Sequence, residues 1–362
     1  MGSEPDFITD KAAMRSWSRS HRSHGKTVAL VPTMGFLHDG HLALVAAARS
    51  LADVIVVSIY VNPGQFAPSE DLATYPSDLR GDLQKLADLG GVHAVFCPTN
   101  LYDYGCGVGG AGGRGGPQSA AGSFISPVSC IEAAAEGDGS AHETWVRVEK
   151  LERGLCGKSR PVFFRGVATV VAKLFNIVDP DYGVFGKKDY QQWRIICRMV
   201  RDLDFAVKII GSEIVRESDG LAMSSRNVRL SPEEREKALS IYNSLTKAKY
   251  TAQHEKTSCQ ELNDIIIQSI TKAGGRIDYV EVIVAIPSFL FSRIHMCNII
   301  IVLCFYRYCN INIEQSITYP LRMPCYLFHF KKSCLIYIIQ ISSYCNQISR
   351  EKHIAFLHWC LL

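Results

Sequence analysis

Two histidines three residues apart, His38 and His41, close the run Pro32-Thr33-Met34-Gly35-Phe36-Leu37-His38-Asp39-Gly40-His41. Set across the start of a helix, both imidazoles can face one ligand and donate hydrogen bonds to charge developing on a phosphate. Gly35 and Gly40 carry no side chain, so the backbone there can approach a nucleotide closely. Lys188, in Gly186-Lys187-Lys188-Asp189-Tyr190, also precedes a helical stretch. The helix dipole repels a cation there, and an anion between the two relieves that repulsion. Asn62 and Gln65 flank Pro63-Gly64, two amides suited to the oxygens of a small polar acid. Ser224-Ser225-Arg226 sets two hydroxyls beside a guanidinium, a group that makes charge-assisted and often bidentate contacts to phosphate. Taken singly, each has an ordinary reading as loop histidines, a solvated lysine or a plain Pro-Gly turn. Context is what turns such residues into a motif.

That context is a set of strands and helices. Residues 27–31 and 54–61 are short, nearly continuous β-branched or apolar runs, as strands buried on both faces should be. Helical spacing marks residues 40–51, 78–89, 165–178 and 190–203, and further strands are expected at 92–96, 182–185 and 206–210. Alternating strands and helices predict an α/β fold, a doubly wound parallel sheet of Rossmann-like type. In such sheets ligands bind beyond the carboxyl ends of the strands, and the His38, Asn62 and Lys188 runs all fall at predicted strand ends. After residue 211 the texture changes. Ser231-Pro232-Glu233-Glu234 reads as a capping box opening a helix to about residue 247, and Ser258 with Glu261 repeats the device. Gly274-Gly275 ends that second helix, and a strand is expected at 277–282. The expected division is therefore a Rossmann-like domain at 1–211, a partial α+β lid domain at 212–281 and a tail at 282–362. Residues 103–143 are expected to form a flexible insert, because 105–122 is rich in glycine.

Composition narrows the class. The chain has 362 residues, 47% of them hydrophobic, enough for a sizeable core. Seven of its 39 basic and two of its 35 acidic residues lie beyond residue 281, so the first 281 carry 32 against 33. The basic excess thus lies outside the predicted folded part, which argues against nucleic acid as a partner. Seven of the 13 cysteines also lie there, and the other six form no C-x-x-C pair. Scattered thiols of this kind suit a reducing compartment, and with no transit-like leader the expectation is cytoplasmic.

Residues 32–41 resemble the signature of the pantothenate synthetase family, in the HxGH nucleotidylyltransferase superfamily that also includes class I aminoacyl-tRNA synthetases. Tyr60-Val61-Asn62-Pro63-Gly64-Gln65-Phe66 and Phe185-Gly186-Lys187-Lys188-Asp189-Tyr190-Gln191-Gln192 are similar to two further signatures. Asp219-Gly220-Leu221-Ala222-Met223-Ser224-Ser225-Arg226-Asn227 looks like the counterpart of the synthetases' KMSKS loop. Asp71, Tyr75-Pro76 and residues 165–167 and 173–175 are additional matches. The wording of 156–166 looks most like plant members, with Phe163 where many bacterial members have histidine. The resemblance implies ATP-dependent condensation of pantoate with β-alanine, through pantoyl adenylate, in the coenzyme A pathway. It implies catalytic roles for His38, His41, Lys188 and Arg226. For ATP it implies Met34, Gly35, Ser224 and Ser225 with Met223, Gly186 and Asp189 at the ribose, and Val215 at the adenine. Asn62, Gln65 and Gln192 would surround pantoate and β-alanine. Mg²⁺ would accompany ATP, with Asp82 at a position associated with the metal, and the assembly would be a homodimer.

The resemblance stops at about Glu281. From Val282 the chain has no glycine and no aspartate but many Ile, Cys, Tyr and Phe, and turns ordinarily draw on Gly and Asp. The expectation is a non-family tail from a retained intron or frame error, forming no ordered part and leaving strand 277–282 with an open edge. A membrane anchor and a genuine domain are the alternatives, although Arg293, His295 and Arg307 interrupt the apolar runs. With the lid incomplete, an inactive or weakly active nucleotide-binding core is the alternative function.

Overall fold

The computed structural model describes residues 4–102, 128–134, 142–255, 257–285, 296–308 and 311–322. At its centre β2 (Val28–Thr33) pairs in parallel with β3 (Val54–Ile59), from Val28 opposite Val54 to Thr33 opposite Ile59. Both strands are apolar at nearly every position because helices cover both faces. With β1 (Asp6–Ile8), β4 (Ala94–Phe96), β5 (Tyr182–Gly186) and β6 (Lys208–Ser212) they form a parallel sheet of order β1-β4-β3-β2-β5-β6. The two-residue period of the strands divides the core into layers. Val28, Leu30, Val54 and Val56 join α1 (Lys11–Ser23), α6 (Phe163–Val178) and α7 (Tyr190–Asp202). Ala29, Val31, Ile55 and Val57 join α2 (Asp39–Arg49) and α3 (Leu79–Leu89).

The doubly wound sheet expected from the sequence is therefore present, with one addition. β1 and α1 precede the strand taken as first, which is second in the chain and central in the sheet. β1 is only three mostly exposed residues, whereas α1, capped by Asp10, turns Met14, Trp17 and Ser18 toward the core. The expected flexible insert over 103–143 falls mostly on residues 103–127 and 135–141, outside the described residues. α4 (Cys130–Ala134) is anchored inside that span, with Ser129 fully buried and Ile131 against the core. Its Glu132 pairs with Arg165 of α6 at 2.5 Å. The glycine-rich stretch itself lies within 103–127, outside the described residues. α5 (Cys156–Ser159) then leads into α6.

The second unit builds its own core from α8 (Pro232–His254) and α9 (Cys259–Lys272), through Ile241, Leu245, Leu262, Ile266 and Ile270. Both expected capping boxes are formed, Ser231 with Glu234 and Ser258 with Glu261. α8 runs beyond residue 247 because Ala248 continues its buried face. Ordered structure also continues past Val282. β7 (Val280–Ala285), β8 (Met296–Tyr308) and β9 (Ile311–Arg322) form an antiparallel sheet, and β7 pairs with β8 rather than ending in an open edge. The expectation had no ordered part beyond about residue 282, and the strands described there run to Arg322. Long β-branched strands need few turns, so scarce Gly and Asp did not exclude them. β9 runs beside α8 and the turn at Lys187–Asp189. The remaining tail residues, 286–295, 309–310 and 323–362, lie outside the described residues. Among the described residues, no helix is long and apolar enough to cross a membrane.

Candidate active site

β2 delivers its chain to the carboxyl edge of the sheet, where a left-handed pair, Gly35 (φ 84°) and Phe36 (φ 50°), turns it into α2. His38 caps α2. Its Nδ1 accepts the Gly40 N–H at 3.1 Å, and His41 Nδ1 accepts the His38 N–H at 3.4 Å. A pair of histidines thus does the work of the usual Ser and Glu of a capping box. The rings lie 4.0 Å apart. Burial, helped by the charge of Lys188, lowers the His38 pKa to about 4. Burial likewise holds His41 well below its ordinary value, with His38 and then Lys188 adding to the effect. Both rings are therefore neutral near pH 7. With each Nδ1 accepting from the backbone, each proton sits on Nε2, as a donor.

Gly40 is glycine for the sake of this geometry. A Cβ there would fall 2.8 Å from His38 Cε1. The sequence reading gave Gly40 to close nucleotide approach, but its nearest neighbour is the His38 ring.

A cleft of about 1030 Å³ opens here and gathers residues from both units. His38, His41 and Met34 line it from the β2–α2 junction, Asn62 and Gln65 from the turn after β3. Gly186, Lys188, Asp189 and Gln192 come from the β5–α7 junction, and Val215, Met223, Ser224, Ser225 and Arg226 from the second unit's entrance. Of the residues singled out in the sequence, Gly35 and Asp82 do not line it. The loop with Ser225 and Arg226 closes on the core. Ser225 Oγ donates to the Phe36 carbonyl at 3.1 Å, and Arg226 Nε and Nη2 grip Asp71 at 2.9 and 3.0 Å.

The matched family model, pantoate-beta-alanine ligase, spans residues 6–302. The chain belongs to the pantoate–beta-alanine ligase family. It is 64% identical over 284 residues to the pantoate–beta-alanine ligase of Oryza sativa subsp. japonica, covering 77% of this chain and 86% of that relative. Against the Arabidopsis thaliana pantoate–beta-alanine ligase it is 62% identical over 284 residues, covering 77% and 87%. A solved pantothenate synthetase from Thermus thermophilus superposes with a TM-score of 0.67 at 33% identity, covering 86% of this chain and 98% of that one. A Francisella tularensis pantoate-beta-alanine ligase, solved with beta-gamma ATP and beta-alanine, gives 0.59 at 27% identity, covering 86% and 97%. The family match passes the expected end at Glu281 and enters β8.

Within this ligase the side chains of two expected site residues, Asn62 and Asp82, are engaged by the protein itself. Asn62, 1% exposed, has its amide fully used. Nδ2 donates to Gln65 Oε1 (3.0 Å) and the Gly166 carbonyl (3.2 Å), while Oδ1 accepts from Tyr102 Oη (2.8 Å) and the Gly64 N–H (3.3 Å). It orients Gln65, whose own Nε2 meets, among the described residues, only the soft Met34 sulfur at 3.3 Å. The close approach of α6 that makes this possible requires Gly166, where a Cβ would lie 2.1 Å from the Gly64 carbonyl oxygen. Asp82, also 1% exposed, accepts the Phe36 and Leu37 amides at 2.7 and 2.6 Å. Its oxygens brace the turn before His38 instead of facing the cleft as a metal ligand would. Burial nonetheless raises its pKa, those two amides opposing the rise. Tyr102 and Arg229 had no signal in the sequence, since their partners lie 40 and 158 residues away. Asp71 was visible as a family match, without any sign of what it touches.

Proposed function

We propose that the chain condenses pantoate with β-alanine at the expense of ATP, yielding pantothenate, AMP and diphosphate. A pantoate carboxylate oxygen attacks the α-phosphorus, and the bond to the β-phosphate breaks as diphosphate leaves. The β-alanine amine then attacks the acyl carbon of pantoyl adenylate, loses a proton and displaces AMP. Both steps rest on positioning and charge stabilisation, without a covalent enzyme intermediate. The supporting observation is that two neutral histidines with Nε2–H donors, a lysine at a helix start, the Ser224–Arg226 run and a buried Gln65 amide line one cleft. His38 and His41 meet charge at the α-phosphate, while Lys188, Ser225 and Arg226 meet the departing phosphates. Met34, Gly186, Asp189, Val215, Met223 and Ser224 hold the nucleoside, and Gln65 with Gln192 holds pantoate.

Mg²⁺ enters as part of the nucleotide substrate. No cluster of three His, Cys, Asp or Glu able to hold a metal occurs among the described residues, and Mg²⁺ is commonly held by substrate phosphates and water. Cys97, Cys130 and Cys197 are free thiols, which supports a reducing, cytoplasmic setting. A homodimer is the assembly we assign from the family resemblance, and light scattering tests it. The reading itself is tested by exchange of labelled diphosphate into ATP, which should require pantoate but not β-alanine. His41→Ala should lower that exchange about a hundredfold or more, the cost of one transition-state donor. Exchange independent of pantoate, or undiminished in the variant, would reject it.

A further inference from the structure

Asp71 sits in the core, in the loop after β3, yet its carboxylate is taken up by the second unit. Arg226 grips it as a fork, Nε to Oδ2 at 2.9 Å and Nη2 to Oδ1 at 3.0 Å, and Arg229 Nη1 adds a contact to Oδ2 at 2.7 Å. Arg229 also donates to the Thr74 carbonyl, so the same loop holds both arginines. The Arg226 guanidinium lies over the Tyr75 ring, 4.8 Å from its centroid. Burial pushes the Asp71 carboxyl up, but the two arginines outweigh it and its pKa falls to about 2, so it stays ionised at any working pH.

An arginine side chain has several rotatable bonds, and a free one spends little time in any single pose. The fork to Asp71 and the face of Tyr75 fix the guanidinium plane. They use the Nε and Nη2 edge, and among the described residues the Nη1 group keeps no hydrogen-bond partner. We propose that Asp71 is a positioning residue that fixes Arg226 so that its Nη1 edge meets the departing phosphates. This rests on the reading of Arg226 given above. Preorganisation of this kind acts on the chemical step, because the donor needs no reorganisation as charge develops. An ion pair serving only stability would move the melting temperature and would leave turnover alone.

The test uses the full chain and pantoate-dependent ATP–diphosphate exchange, with pantoate affinity by calorimetry and thermal melting alongside. Asp71→Asn, nearly the same shape, should lower kcat of exchange about tenfold to a hundredfold while leaving pantoate affinity unchanged. Asp71→Glu, which keeps the charge, should recover part of the loss. Because Asp71 acts through Arg226, adding Asp71→Asn to Arg226→Lys should cost less than about twofold more. Four outcomes overturn the proposal. Asp71→Asn could exchange as the parent does. It could exchange faster, which would make Asp71 a competitor of the nucleotide. Its loss could persist in full in the Arg226→Lys background. Finally, both Arg226→Lys and Arg226→Ala could keep parental exchange, in which case the phosphate role of Arg226 falls first and Asp71 with it.

Discussion

Gln65 and Asn62 look alike in the sequence, two amides around one turn, but their hydrogen-bond accounts separate them. Asn62 has spent both donors and its carbonyl on Gln65, Gly166, Tyr102 and Gly64. Gln65 keeps an amide donor whose only described partner is a thioether. Gln65→Ala should therefore raise KM for pantoate about tenfold to a hundredfold, the worth of a hydrogen bond to a charged group. KM for ATP and the melting temperature should barely change. Asn62→Ala takes a hydrogen-bond partner from the buried Gln65 side-chain oxygen and from the buried Gly64 amide, a loss of about 1–3 kcal/mol for each. It should lower the melting temperature clearly as well as the activity. Steady-state kinetics and melting curves on the two variants check this, and identical profiles would mean that the assignment of the two amides is wrong.

Among the elements, α2 has the most unusual start. His38 occupies the N-cap and accepts from the Gly40 amide through a neutral ring nitrogen. Protonation would remove that acceptor and place a cation at the positive end of the helix. Burial, with the charge of Lys188 adding to it, puts its pKa at about 4 instead of the usual 6.5. Between those values the unfolded chain binds the extra proton, so stability from this group is complete above pH 6.5 and drains away as pH falls toward 4. His41 shifts in the same direction. His38→Asn keeps a strong cap but removes one titrating ring. The fall in melting temperature from pH 7 to about pH 4.5 should then be smaller in His38→Asn than in the parent. Equal falls would show that His38 does not titrate as its surroundings imply.

Across the whole molecule the cleft is a joint product of two units. The core supplies His38, His41, Lys188 and Gln65, and the second unit supplies Ser225 and Arg226 across the Asp71 contact. The second unit is in turn continued by β8 and β9, which cover the edge of β7 and reach the turn at Lys187–Asp189. Ending the chain at residue 285 would strip that edge and open it to other chains. Such a truncation should lose solubility and exchange activity together, whereas ending it at residue 322 should preserve both. Light scattering and the exchange assay distinguish these outcomes. A form ending at residue 285 that stays monodisperse and fully active would show that the added strands contribute nothing.

The sequence alone determined the parts of this protein whose information is local. The β-branched runs of β2 and β3, the helical spacing of α6, and the Ser–Glu caps of α8 and α9 are short-range patterns, each set by the period of its own element. The HxGH run and the three other signatures were equally local, so the family and most cleft residues were legible. β1 escaped because three mostly exposed residues carry no pattern, and α1 was passed over although Met14, Trp17 and Ser18 share one helical face behind an Asp10 cap. Only the tertiary structure decided what depends on contacts distant in the chain. Asp71 meets Arg226 across 155 residues, Asn62 meets Gly166 across 104, and Asp82 braces the Leu37 amide across 45. No spacing rule reaches that far, because those partners are chosen by how the sheet and helices pack. The role of a polar side chain depends on which of its hydrogen bonds packing has already taken.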